Sequence, residues 1–304
     1  MLKDIISIAI TISNSTFKRI KFVLRTFWNV DEFKTLNSLL SRKNLVYVKN
    51  KQPDIYRKPY RAYMLCSMST DEKYKYILSH YDYICKIMLL DAIKNIYTTK
   101  DGENILTFNS SKMGNFDINL CYIHTLGKEG ELTLLLSQNK EDIYSIQLTF
   151  FQTVSNGLEV LIGGIQGRGD ISSDFIKRLT KDLHGVRPRN LLFFILRRIC
   201  KVLDIETIKA VQTNEHISSC SHVNKTGKFK ADYNIYWEEE DGIKIDSWYI
   251  LPTQEKRKTI DEIKSKKRSM YRKRYEMLDS FKDEVDENLL NLLGEKIINN
   301  DSLV

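Results

Sequence analysis

The chain has 304 residues, of which 42% are hydrophobic and 28% charged, and its net charge is +8. This composition excludes a disordered chain and leaves room for one large domain or two ordinary ones with a sizeable core. Residues 255–275 hold ten Lys/Arg against three Asp/Glu. The rest is nearly balanced, which points to a local anionic partner rather than general coating of nucleic acid.

The opening "MLKDIISIAITISNSTF" has a short apolar stretch behind Asp4 and no A-x-A site, which argues against a secretory leader. No run of about 18 apolar residues predicts a membrane span. The expectation is a cytoplasmic protein, at most peripheral to the inner membrane. Residues 17–40 place Phe17, Ile20, Val23, Leu24, Phe27 and Trp28 at helical spacing. The proline-bearing "KQPDIYRKPYRAYM" reads as a connection. Residues 72–97 predict a second helix, with Ile77, Leu78, Tyr81, Ile84, Cys85, Met88 and Leu89 on one face.

The texture then changes. "GELTLLLSQ", "DIYSIQLTFFQ" and "GLEVLIGGIQG" predict three strands joined by short turns, an antiparallel meander. A helix at 188–203 and the strand "TIKAVQTNEHI" follow. A strand, a helical crossover and a strand imply a parallel pair. "DSWYILP" closes the core, and 259–282 predicts a basic helix with Ile260, Ile263, Met270, Tyr271 and Leu278 on its apolar side. The expected class is α+β, with a mixed, mostly antiparallel central sheet and flanking helices. It divides into a helical region 1–125, a mixed core 126–254 and a basic helical segment 255–304.

The five cysteines (Cys66, Cys85, Cys121, Cys200, Cys220) are odd in number and form no C-x-x-C pair, so they read as reduced, buried thiols. Neither they nor the histidines show metal-ligand spacing, and no metal is expected.

The stretch richest in chemistry is "LIGGIQGRGDISSDFIKRLTKDLHGVRPRNLLFFILRR", residues 161–198. Glycines inside a strand mark a bulge or a close approach to the backbone. Pro188 suits the first position of a helix, whose free N–H groups favour an anion, with Arg187 and Arg189 beside it. Gly163, Gly164, Gln166, Gly167, Arg187, Arg189 and Asn190 therefore form the candidate cofactor-binding set. A tight corner, with the arginines paired to Asp170, Asp174 or Asp182, accounts for the same residues. His184 is the best-placed acid–base candidate, although a hydrogen-bonded loop histidine fits as well. Asp232, Glu238, Glu239 and Glu240 offer a carboxylate, with Glu239 as the candidate base, or else a solvated turn. The basic helix, through Lys264, Lys266, Lys267, Arg268, Arg272, Lys273 and Arg274, suits RNA, an anionic membrane surface or a protein partner, or is solvated surface.

"GGIQG", "TKDLHGVRPRNLL", "ADYNIYWEEEDG", "WYILP" and "SKKRSMYRKRYEMLD" together resemble the VirK/YbjX family of bacterial proteins over roughly residues 15–280, the VirK branch more than the YbjX branch. The resemblance implies a role in producing or displaying a virulence factor, or in envelope defence such as resistance to antimicrobial peptides. It supplies no catalytic residues. The order of elements is also similar to that of GCN5-related acyltransferases, which implies acyl-CoA at the helix start. "QGRGD" and "HGVRPRN" depart from the usual acyltransferase motif.

Overall fold

The computed structural model describes residues 1–155, 157–220 and 232–294. The apolar period of 17–40 breaks at Asn29, giving α2 (Thr16–Trp28) and α3 (Val30–Leu40) behind a first helix, α1 (Leu2–Ile12). α4 (Val46–Lys51) leads into the expected connection, where a 3-10 helix (Pro53–Tyr60) forms. Ser69 and Glu72 form a reciprocal cap that starts α5 (Thr70–Ile87): the Glu72 N–H donates to Ser69 Oγ at 3.2 Å and the Ser69 N–H to the Glu72 carboxylate at 2.7 Å. The chain extends at Met88, so 72–97 is two helices, the second being α6 (Leu90–Thr98).

The helical reading of 1–125 ends there. Residues Glu103–Ser110 (β1) and Gly114–Cys121 (β2) are strands. Their Asn and Asp residues disguise them, yet in β1 the buried Leu106 and Phe108 alternate with the exposed Thr107 and Asn109. The meander follows as expected, with β3 (Leu132–Gln138), β4 (Glu141–Gln152) and β5 (Leu158–Gly167). Then come α7 (Ser173–Asp182), α8 (Pro188–Val202), β6 (Thr207–Val211), α9 (Tyr233–Glu239), β7 (Ile243–Ile245), β8 (Trp248–Leu251) and α10 (Ser265–Asn291).

One eight-stranded sheet has the order β1-β2-β3-β4-β5-β6-β8-β7. Every neighbouring pair is antiparallel except β5/β6, which is parallel across the α7–α8 crossover. The class is α+β, and the sheet runs without a break across residue 125. α5 lies against β4, α8 against β3, β4 and β5, and α10 against α8 and β1. α10 starts six residues later than the basic run suggests and continues to Asn291, anchored by the buried Leu278, Phe281, Val285 and Leu289.

Cys66 and Cys220 form a disulfide, which overturns the reading of five reduced thiols; Cys85, Cys121 and Cys200 are free. The pairing was hidden by a separation of 154 residues. A bridge between Leu65 and His216 brings the two segments together. None of the described helices is long and apolar enough to cross a membrane.

Candidate functional site

The β4/β5 register slips between Gln147 and Leu148, so Gly163 is the extra residue of a β-bulge. The glycines there have a steric reason. A Cβ at Gly163 would lie 1.9 Å from the Glu129 carbonyl oxygen, and one at Gly164 would lie 2.1 Å from the Glu129 carboxylate. The segment before β3 thus presses onto the bulge, and only glycine admits it.

The parallel register of β5 with β6 ends at Ile162/Ala210, while β5 runs on to Gly167. Where the two strands part company, polar groups converge. Gln166 Nε2 donates to Glu129 Oε2 at 3.2 Å. The Gln147 amide, turned so that both its ends are satisfied, donates to Glu129 Oε2 at 3.1 Å and accepts from Ser145 Oγ at 2.8 Å. His216 is buried, its Nε2 3.8 Å from Glu129 Oε1. His216 Nδ1 accepts from the Ser218 N–H at 3.2 Å. Nδ1 is therefore an acceptor, which leaves Nε2 as the ring's N–H, facing the carboxylate. Tyr233 stands edge-on to His216 with ring centroids 5.2 Å apart, and its hydroxyl accepts from the Ile165 N–H at 3.4 Å. Burial, then the Glu129 charge, pushes the Tyr233 hydroxyl up, so it stays protonated. A carboxylate, an imidazole and a protonated phenol at the carboxyl ends of two diverging parallel strands make a site able to accept and return protons.

Of the expected residues, Gly163, Gly164 and Gln166 meet here through Glu129. Gly167 packs against the Tyr144 ring. Pro188 opens α8 as expected, and Arg187, its N-cap, is exposed. Arg189 and Asn190 are instead engaged by the acidic group. Arg189 Nη2 pairs with Glu239 at 2.5 Å and its guanidinium lies 4.3 Å from the Tyr236 ring centroid. Asn190 Nδ2 donates to Glu240 at 2.8 Å, and Arg197 pairs with the same carboxylate at 3.1 Å. Burial pushes the Glu240 carboxyl up, against the opposing pull of Arg197. The chain's own carboxylates thus supply the negative charge expected of a phosphate at this helix start. None of the acidic group is a plain solvated turn: Asp232 caps α9, and Glu238 accepts from the Tyr249 hydroxyl at 2.8 Å. His184 adopts φ +51° in the α7–α8 loop, with its carbonyl accepting from Arg274 Nε at 3.1 Å. Among the described hydrogen bonds and ion pairs, none joins His184 to Glu239.

Pattern reading missed Glu129, His216 and Tyr233 as a group. Glu129 sits in the irregular "GKEGE". His216 was read as the end of a strand that stops at Val211. Tyr233 directly follows Asp232, where the acidic residues drew the reading.

A second polar centre lies wholly inside. Lys58 Nζ meets Glu131 Oε2 at 2.6 Å with both side chains buried. Tyr81 donates to the same oxygen at 2.7 Å. Thr149 Oγ1 joins the Glu131 N–H and the Tyr63 hydroxyl, each at 3.3 Å. Burial opposes the Lys58 charge, but the Glu131 carboxylate more than reverses this, so the ammonium is held. His80 Nε2 lies 2.7 Å from the Tyr97 hydroxyl, and His80 Nδ1 accepts from the Phe150 N–H at 3.1 Å. Burial and then Lys58 lower the imidazole to about 3, and the ring stays neutral.

On the basic helix, Lys264, Lys266, Lys267, Arg272 and Lys273 are exposed. Arg268 and Arg274 are used within the chain, on the Ile263 and His184 carbonyls.

Fold and site together define an α+β protein with one parallel strand pair and a proton-transfer-capable corner where that pair diverges. A sequence profile described as "protein of unknown function (DUF535)" matches residues 11–287. The chain belongs to this family, the VirK/YbjX family. It is 31% identical over 254 residues to the uncharacterized protein YbjX of Escherichia coli K12, covering 82% of this chain and 76% of that protein. It is 33% identical over 144 residues to an uncharacterized protein of Haemophilus influenzae, covering 47% of each chain. No solved structure matches.

Proposed function

We propose that this protein transfers an acyl group from an activated thioester, such as acyl-CoA, to an amine or hydroxyl, in the service of envelope or surface-protein maturation. The observation that carries the proposal is the convergence of Glu129, His216 and Tyr233 where β5 and β6 diverge. The strand order, with one parallel pair followed by a reversed final hairpin, is similar to that of GCN5-related acyltransferases, and the fold supports the reading by analogy. In the proposed reaction the acceptor attacks the thioester carbonyl and its proton passes to Glu129. The carbon–sulfur bond then breaks and the departing thiolate takes a proton from Tyr233. Arg187 at the start of α8 is the exposed cation left for the donor's phosphates.

Calorimetric titration with CoA, acetyl-CoA and a long-chain acyl-CoA tests the binding, and mass spectrometry of a mixed amine pool tests transfer. Expected are binding weakened by Arg187→Ala, and transfer lost in Glu129→Gln and Tyr233→Phe while the fold is kept. Absence of binding by every thioester overturns the reading.

A second reading, a non-catalytic role in virulence-factor expression, rests on the four exposed cations of α10 with Lys264 at its N-cap, and on the closed contact of Glu129 with Gly163 and Gly164. It predicts RNA binding that weakens steeply between about 50 and about 200 mM salt. Loss of that binding in Lys266→Glu/Lys267→Glu, with no thioester bound, would favour it.

A further inference from the structure

The helical spacing of Phe17, Ile20, Leu24 and Phe27 would ordinarily face a core. Here it faces outward. α1 and α2 pack together, burying Ile5, Ala9 and Ile12 from one and Phe22 and Thr26 from the other. The opposite sides are left uncovered. On α1, Leu2, Ile6 and Ile10 form an exposed stripe at every fourth residue. On α2, Phe17, Ile20, Leu24 and Phe27 form another, three and four residues apart, and Trp28 ends it. Phe17 is 74% exposed and Trp28 82%. Apolar stripes left exposed in this way mark an interaction site.

The charge beside it selects the partner. Residues 2–28 contain five Lys/Arg and one acid, Asp4. Lys3, Lys18 and Lys21 are exposed, and none has an ion-pair partner among the described residues. A cavity of about 330 Å³ opens along α2, lined by Lys18, Lys21, Arg25, Arg57 and Arg61 together with Phe22 and Tyr60. Asp54 offsets Arg57 and Arg61, at 3.3 and 3.5 Å, while Arg25 donates to the Tyr60 carbonyl at 2.7 Å. The lysines remain for an outside anion. Apolar side chains rimmed by cations, with aromatic rings at the end of the stripe, match the interface of an anionic bilayer, where rings and acyl chains mix and phosphates lie just above. A second copy fits worse, because a two-fold contact would set the same cations against one another.

We infer that the α1–α2 hairpin lies in the surface of an anionic membrane, with the stripe from Phe17 to Trp28 in the acyl boundary and Lys18 and Lys21 on lipid phosphates. This surface shares no residue with the basic run of α10 or with the Glu129 corner.

The full chain is mixed with vesicles of phosphatidylethanolamine containing about 30% phosphatidylglycerol, and with phosphatidylcholine vesicles, and pelleted. Tryptophan emission is followed in parallel. Trp28 is the only fully exposed indole among three, since Trp237 is buried and Trp248 half-buried. Expected are a blue shift and co-sedimentation with the anionic vesicles only. Phe17→Asp/Trp28→Asp should weaken partitioning by about tenfold or more. Lys18→Glu/Lys21→Glu should weaken it most at low salt. Both pairs are exposed, so unfolding midpoints should stay near wild type. Lys266→Glu/Lys267→Glu should leave partitioning unchanged. The inference is overturned if wild type does not bind anionic vesicles. It is also overturned if Phe17→Asp/Trp28→Asp binds as well as wild type, or if light scattering finds a dimer that Trp28→Asp dissolves.

Discussion

Glu129 and Glu131 flank a single glycine and reach two different polar centres. Glu131 enters a sealed one: Lys58, three tyrosines, a threonine and a neutral histidine, all buried where α5 and the 3-10 helix meet the sheet. Glu129 enters a corner made of late-chain segments, where two strands separate and a histidine and tyrosine face it. The lesson lies in how each charge is compensated. Glu131 has a cation at 2.6 Å, so its charge is cancelled within the fold. The Glu129 carboxylate is met by two amides and an imidazole. A carboxylate met by neutral donors can take up a proton without breaking an ion pair, whereas one locked to an ammonium cannot.

The comparison can be broken most forcefully at the sealed centre. Glu131→Gln or Lys58→Met leaves one uncompensated buried charge and should cost about 3–5 kcal/mol in urea unfolding. The double variant Lys58→Met/Glu131→Leu should recover most of it. If the single changes are mild, the pair does not organise the interface. Next in size is the Cys66–Cys220 disulfide, which ties the segment before α5 to the His216 loop. Its removal in Cys66→Ser should lower stability by about 3 kcal/mol. The same change should loosen the Glu129 corner more than the Lys58 centre, which hydrogen exchange at the two places can read.

His80 sharpens the contrast through pH. Folded, its imidazole titrates at about 3 against 6.5 ordinarily. Between those values the unfolded chain binds the extra proton, so acidification favours unfolding. At pH 5 the loss should be about 2 kcal/mol relative to pH 7, and a variant without the imidazole should lose correspondingly less. Protonation would also set an N–H at Nδ1 against the Phe150 N–H that donates there. At the Glu129 corner the effects should be smaller. Tyr233→Phe removes the acceptor of the Ile165 N–H and should cost about 1 kcal/mol.

The meander, the crossover and the parallel strand were legible because strand composition and helix period differ sharply over 130–211. β1 and β2 were not, since Asn and Asp weaken the strand signal that their burial pattern restores. The glycines and Pro188 correctly marked a bulge and a helix start, but pattern cannot tell which side chain presses on a glycine. Glu129 does so from a loop without periodicity. The acids after Tyr236 were visible; that they clamp Arg189, Asn190 and Arg197 requires α9 to pack beside α8, a tertiary fact. Lys58 lay in a proline-rich connection, where nothing local announces burial. The α2 stripe was legible as a helix face but not as an exposed one.

The most direct test of the division of labour between the two carboxylates is a paired one: urea unfolding and thioester-dependent acyl transfer on Glu129→Gln and Glu131→Gln side by side. The account predicts that Glu131→Gln loses about 3–5 kcal/mol, while Glu129→Gln stays within about 1 kcal/mol of wild type and loses transfer. A Glu129→Gln protein that transfers normally, or that unfolds as readily as Glu131→Gln, would contradict it.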